Sequence, residues 1–342
     1  MMQRIALFLF IFLTISHLSY AQQVFGKDKN VQRVAFYNVE NLFDTLDDPN
    51  GRDEEFLPSA KKEWTVERYE KKLNQLAQVF EEMDFPTVIG LCEVENEGVM
   101  QDLAEKTVMK KSKYETVHFE SPDYRGIDVG LMFKKKCFEV LERSTIQIDF
   151  PKAIVENYTT RDVLIVKGLL HGQDEVYFFV NHWPSRRGGL AASSPKREYV
   201  AAQVRKKVEE IYAQNANANI ILMGDFNDEP DNKSINEVLI KGDILDNAMA
   251  EMDENGEGTY NYRGNWNMID QFIVTKNIDS KTSDLYILNT DILREDYLYY
   301  TDKKYGKTPT RTYGGSRYYG GYSDHLPIYI DLYQKSKKER KK

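Results

Sequence analysis

The chain has 342 residues, 41% hydrophobic and 29% charged, the proportions of a globular protein long enough for one large α/β domain or two average ones. Its 46 basic and 54 acidic residues give a formal charge of −8, which argues against broad, sequence-independent binding to nucleic acid through phosphate neutralisation but leaves room for a locally basic cleft. Two cysteines, Cys92 and Cys137, are too few for a disulfide scaffold or a cysteine-based zinc site, and each lies in an apolar run, so both are expected to be buried free thiols.

Residues 1–21 read as a secretory signal. Arg4 supplies the positive start, "IALFLFIFLTI" the apolar run, and "SYA" the small residues before a cut after Ala21. The run is shorter than the roughly 20 residues a spanning helix needs. A secreted or periplasmic product, without stable membrane insertion after cleavage, is expected. With Arg4 removed, 45 basic and 54 acidic residues leave a formal −9.

"RVAFYNV" then reads as a strand. A polar stretch, 44–63, leads to a helix on which Tyr69, Leu73, Leu76 and Phe80 share one face. Pro86 ends it, and "TVIGLCEV" is a buried strand. A short helix follows, then strands near 113–119, 127–133, 137–149, 162–170 and 174–181. A second helix runs from about Ser194 to Gln214 with Val200, Val204, Val208 and Ile211 inward, and "NIILMG" is the next strand. The last third alternates short strands with loops. No repeat or linker divides the chain, so residues 22–334 are read as one α/β domain of two packed sheets with helices outside. The end, "KSKKERKK" at 335–342, reads as a basic, disordered tail. Between Leu293 and Tyr322 lie eight tyrosines and five glycines. That segment is either a functional loop or a surface flap packed on itself.

Polar residues end the apolar runs: Asn38 and Glu40 in "FYNVEN", Glu93 in "GLCEVEN", Asn181 and His182 in "VNHWPS". Asp225 and Asn227 follow in "ILMGDFND", Asp270 in "NMIDQFIV", and Asp324 and His325 in "GYSDHLPIYI". Singly, each has a plain structural role open to it, as a helix cap, a core histidine or a turn residue. Jointly they are what metal-assisted phosphate-ester hydrolysis needs. A hard cation held by carboxylates offsets the substrate's charge and polarises a phosphoryl oxygen. A base must deprotonate water, a second carboxylate can orient that base, and amide or imidazolium donors meet the charge growing on phosphorus.

The ordered set "NVEN … CEVEN … RGIDVGLMF … NHWPS … GDFND … IDQFIV … SDHLPI" resembles the endonuclease/exonuclease/phosphatase superfamily over about residues 31–333, as a secreted bacterial-type member. The resemblance implies the DNase I-like fold, a four-layer sandwich of two mixed β-sheets flanked by helices. It also implies Mg²⁺ or Mn²⁺, with Ca²⁺ an option. By position, Glu93 resembles the main metal-binding glutamate, Asn38 the asparagine near metal and phosphate, and Glu40 an acidic residue of some members near the metals. Asp225 and Asn227 match the pair that positions the nucleophile. Asp270 resembles the aspartate behind the final histidine, Asp324 a metal ligand, His325 the catalytic histidine, and His182 the second, phosphate-facing histidine.

Around these, Arg186 and Arg187 with their following glycines are expected to wrap a phosphate. Arg125 is a further phosphate contact, or else the partner of Asp128; His182 is the alternative partner for that acid. Trp266 walls the pocket or belongs to the core. Arg311 and Arg317 are expected to meet phosphates from the tyrosine-rich segment. "GDFNDEP" and "NMIDQF" lack the arginine and Cys-Asp-Arg features of inositol-polyphosphate phosphatases. No apolar docking hairpin of the sphingomyelinase kind is visible, and a signal sequence contradicts intracellular abasic-site repair. A monomeric secreted nuclease acting on DNA or RNA fits best. A phosphatase, a phospholipid phosphodiesterase, and an inactive binding protein of the same fold are the alternatives.

Overall fold

The computed structural model describes residues 28–48 and 52–341; the signal sequence read at 1–21 lies outside them. Strands come in the order β1 (Val31–Leu42), β2 (Val88–Val94), β3 (Tyr114–His118), β4 (Asp128–Lys134), β5 (Phe138–Ile146), β6 (Val163–Leu170), β7 (Asp174–His182) and β8 (Asn219–Asp225). They continue with β9 (Leu245–Asn247), β10 (Tyr260–Tyr262), β11 (Asn265–Asn267), β12 (Asp270–Thr275), β13 (Leu285–Ile292), β14 (Tyr299–Asp302), β15 (Gly306–Pro309), β16 (Tyr313–Gly314), β17 (Arg317–Tyr318) and β18 (Ile328–Gln334). Three longer helices accompany them: α1 (Val66–Glu82), α2 (Glu97–Glu105) and α3 (Leu190–Gln214).

Two six-stranded mixed sheets form, ordered β13-β18-β1-β2-β4-β3 and β5-β6-β7-β8-β12-β9. They pack face to face because alternate residues of each strand point to opposite sides. Along β8, Ile221 and Met223 enter the core between the sheets with Phe36, Leu131 and Phe178, while Ile220 and Leu222 face outward. Those outward residues are covered by Val200, Val204 and Val208 of α3. On the other side Leu73, Leu76 and Phe80 of α1 join the first sheet, with the Phe80 ring 6.4 Å from that of Tyr37. This is the four-layer sandwich expected.

Four features differ from the sequence reading. Helix α3 starts at Leu190, a turn before Ser194, and runs through Pro195. Ser193 Oγ donates to the carbonyls of Gly189 and Leu190, and Arg197 ties that turn to the Pro184 carbonyl and to Asp228 at 2.7 Å. The stretch 335–341 is not a free tail, since Arg340 donates to both carboxylate oxygens of Asp174. Cys92 is buried but Cys137 only partly so, and both are free. The tyrosine-rich segment is ordered into two small hairpins, β14–β15 and β16–β17. No helix among the described residues is long and apolar enough to cross a membrane.

Candidate active site

Strand register assembles the polar residues at one end of the sandwich. His182 lies beside Asp225 across the parallel β7–β8 pair, and Asp225 faces Asp270 across the antiparallel β8–β12 pair. A side chain at Gly224 would come within 2.4 Å of the Asn181 carbonyl, so only glycine lets those strands close. On the facing sheet the ladder is broken twice, between Asn38 and Leu42 and between Cys92 and Val94. Glu40, Asn41 and Glu93 take left-handed backbone there, with φ of +49°, +55° and +62°. Such bulges re-aim side chains at a cost of about 1–3 kcal/mol per strained residue. Here they turn both glutamates into the cleft. The helix after β2 is capped by Asn96, whose side chain accepts from the Val99 amide, so Glu93 has no capping duty.

Asp270 Oδ2 holds His325 Nδ1 at 2.7 Å and also accepts from Thr259 Oγ1. The other imidazole nitrogen, Nε2, then faces Asp225 Oδ2 at 3.8 Å and Asn38 Nδ2 at 3.5 Å. Asn38 Nδ2 also donates to Asp225 Oδ2 at 3.1 Å, and the Asn227 amide donates to Asp225 Oδ1 at 2.9 Å. Asp225, Asp270 and His325 have ligand atoms within 4.8 Å of one another. Asp270 and His325 already bond each other within that group, which leaves it less open to an ion. Burial opposes charge on His325, but Asp270, Asp225 and Asp324 outweigh it and hold the imidazole well above its ordinary value. His182 is the reverse: burial, with Arg161, Arg125 and His325 nearby, keeps it well below, hence neutral. Its Nε2 lies 3.6 Å from Asp225 and 3.8 Å from Glu93. Burial raises Asp225 to about 7, with Asp270 adding to the effect and His325 opposing it.

The carboxylates form the other half. Glu93 accepts from the Asn41 amide at 3.1 Å, and its second oxygen faces Arg125 at 3.3 Å. Glu40 takes one backbone hydrogen bond on each oxygen, from Thr312 and Tyr313 of the tyrosine-rich segment. Burial, then the Asp324 carboxylate, push Glu40 up to about 7. Asp324 itself lies 3.6 Å from Arg311. These groups share a cleft of about 830 Å³ with His182, Asp225, Asn227 and His325.

The remaining expected residues take these places. Asp128 partners neither His182 nor Arg125; it lies 3.2 Å from His118 Nε2 and accepts from Ser121. Arg125 is taken by Glu93 and, at 3.9 Å, Asp123. Arg186 lines the cleft, and its guanidinium donates to the Asn227 carbonyl, Glu229 and Asn232, which ties the loop down. Arg187 is exposed on the same cleft, and among the described residues nothing pairs its guanidinium. Trp266 packs edge-on against Tyr299 and does not line the cleft. Arg317 is exposed over the Tyr319 ring, outside the cleft. Asn181 turns away, accepting from Trp183 Nε1 and donating to the Met223 carbonyl.

Besides Arg197, sequence reasoning missed two buried cations. Lys72 of α1 donates to Thr312 Oγ1 and to the Tyr322 carbonyl, and burial lowers it to about 8 despite nearby Glu40. It lies three residues after Tyr69 and four before Leu76, on the buried face of the helix, so the helical period marked the position although the residue type did not. Arg161 donates to the carbonyls of His182 and Trp183 and to Asp123 at 2.9 Å. Arg161→Met strands a buried carboxylate and is expected to lower stability by about 3–5 kcal/mol in urea unfolding. Arg125→Ala, at a side chain 47% exposed, should cost much less stability; equal losses would mean the buried pair is no anchor.

The model of the Endonuclease/Exonuclease/phosphatase family matches residues 33–334. Among solved structures, the fold is similar to a humanised zebrafish (D. rerio) TDP2, with TM-score 0.56 and 17% identity over 89% of this chain and 99% of that one. The human nocturnin catalytic domain gives TM-score 0.56 and 16% identity over 89% and 94%. A Bacteroides thetaiotaomicron mannosyl-6-phosphatase gives TM-score 0.55 and 17% identity over 88% and 99%. No curated protein sequence matches. With its family match spanning nearly all described residues, the chain belongs to the endonuclease/exonuclease/phosphatase family, whose members are phosphoesterase hydrolases.

Proposed function

We propose that this protein is a secreted or periplasmic, divalent-metal-dependent phosphodiester hydrolase of nuclease type. One observation carries the reading. Three carboxylates, Glu40, Glu93 and Asp324, share one cleft with His182, with His325 oriented by Asp270, and with the Asp225–Asn227 turn. The donor set fits a hard cation: it is carboxylate oxygen, its charges are partly buried, and Glu40 and Asp324 repel one another. Glu93 and Asp324, with Glu40 behind them, would hold Mg²⁺ or Mn²⁺. Such an ion offsets the phosphodiester's charge and polarises its phosphoryl oxygen.

The chain's own groups supply the rest. His325, oriented by Asp270, and Asp225 form the proton-handling pair facing the cleft. Asn38 and neutral His182 flank Asp225 as hydrogen-bonding groups toward a bound phosphoryl oxygen. Lys62, Arg125, Arg186 and Arg187 are cations on the cleft wall. The completeness of this set disfavours an inactive binding protein.

The test is a substrate panel with Mg²⁺, Mn²⁺ and Ca²⁺: plasmid DNA, RNA, sphingomyelin, inositol phosphates and a sugar phosphate. Cleavage of DNA or RNA is expected. Activity confined to sphingomyelin or to phosphate monoesters would overturn the nuclease reading and leave the hydrolase. N-terminal sequencing of protein recovered outside the cytoplasm should begin at Gln22; a retained leader would contradict secretion.

A further inference from the structure

A second cleft, also about 830 Å³, opens from the first and shares Tyr260, Tyr262 and Asp324 with it. Small β-ribbons wall it. The β10–β11 turn brings Tyr262 and Arg263, the β14–β15 hairpin brings Tyr300 and Tyr305, and the chain after β17 brings Tyr319. Three of these rings are unusually open to solvent: Tyr262 at 53%, Tyr300 at 43% and Tyr319 at 55%. Tyr260 joins the two clefts, because its ring lies 5.0 Å from the His325 ring and its backbone bridges to His325. Whatever occupies the second cleft therefore sits beside the reacting phosphate.

Guanidinium groups accompany the rings. Arg263, 5.2 Å from the Tyr262 ring, and Arg311, next to Asp324, line the cleft, while Arg317 lies 5.2 Å from the Tyr319 ring outside that lining. A neutral glycan has no use for those charges. A lipid chain calls for a dry apolar wall, and this one carries hydroxyls, arginines and Asp302. A strand whose planar bases alternate with phosphates matches both elements at once. In a duplex the base faces are already stacked on one another, so they reach a tyrosine only after unpairing.

We propose that the tyrosine-lined cleft is a subsite for an unpaired nucleobase flanking the scissile phosphate, which gives single-stranded nucleic acid preference over duplex. The proposal rests on the hydrolase reading above and names the substrate form for that site. Tyr300 and Tyr319 are the specificity residues, since both are exposed and neither touches the carboxylates or histidines. Replacing the whole flap cannot test this, because the Thr312 and Tyr313 amides and the Lys72 contacts would be lost with it.

The experiment measures binding without turnover. A labelled phosphorothioate oligothymidylate, which resists cleavage, is titrated with the protein in Mg²⁺ and followed by anisotropy. Its duplex and an abasic strand of the same backbone are the comparisons. The wild type should bind the single strand most tightly. The double variant Tyr300→Ala/Tyr319→Ala should lose at least about tenfold on that strand and stay unchanged on the abasic one. Equal binding of thymidylate and abasic strands, tighter binding of duplex, or an unaffected double variant would overturn the subsite. Turnover of a small diester is read in parallel. Its absence, with base-dependent binding intact, would sink the hydrolase reading and not the subsite.

Discussion

Replacing His325 by alanine should lower phosphodiester turnover by about 10²–10⁴-fold, the usual worth of a positioned proton-transfer group. His325 is nearly buried, its Nδ1 is fixed on Asp270 at 2.7 Å, and its Nε2 faces Asp225 in the cleft. The Asp270 bond sets which nitrogen carries the proton, so Asp270→Asn should cost a rate factor of similar order by favouring the wrong tautomer. A buried partner left unpaired also destabilises, by about 1–3 kcal/mol. His325→Asn retains a donor toward Asp270, so its stability should recover while its activity does not. A loss under tenfold in both His325 variants would place the proton-handling group elsewhere.

The second large effect concerns Glu93. Glu93→Ala should weaken Mg²⁺ or Mn²⁺ binding by at least about 10–100-fold, since even residues behind metal ligands cost that much. The measurement is thermal unfolding with and without the ion. A metal at 100 times its dissociation constant stabilises a protein by about 2.7 kcal/mol, which the wild type should show as a raised Tm. The variant should lose that increment. Its Tm in EDTA should stay near the wild-type value, because the Arg125 side chain that Glu93 faces is 47% exposed and stays solvated without it. Glu93→Gln, which keeps an acceptor for the Asn41 amide, controls for the bulge. A metal-dependent Tm rise surviving in both variants would show that the ion sits elsewhere.

Much of the sandwich could be read from the chain because the runs are long and period-specific. The continuous apolar run of β8, buried on both faces, and the i, i+3, i+4 face of α1 are local properties of the sequence. The candidate site residues were legible only as a set: each alone had a plain structural role open to it, but many polar residues ended apolar runs, and strand register brings those runs' ends together. The side chains that failed were those whose partners are distant in sequence. Arg186 looked free until the chain around Glu229 and Asn232 folded against it, and Trp266 until Tyr299 did. The left-handed backbone at Glu40 and Glu93 was equally invisible, because glutamate carries no preference for it. Nor could the sequence show that the tyrosine-rich segment supplies amides to Glu40 as well as rings to a neighbouring cleft.

Hydrolysis of bis-(p-nitrophenyl) phosphate by the purified protein, first in EDTA and then with Mg²⁺ or Mn²⁺ restored, tests metal-assisted hydrolysis most directly. No release of nitrophenol is expected in the chelator, and release should return with the ion in the wild type but not in Glu93→Ala. Full activity in EDTA would contradict a carboxylate-held metal at the heart of this site.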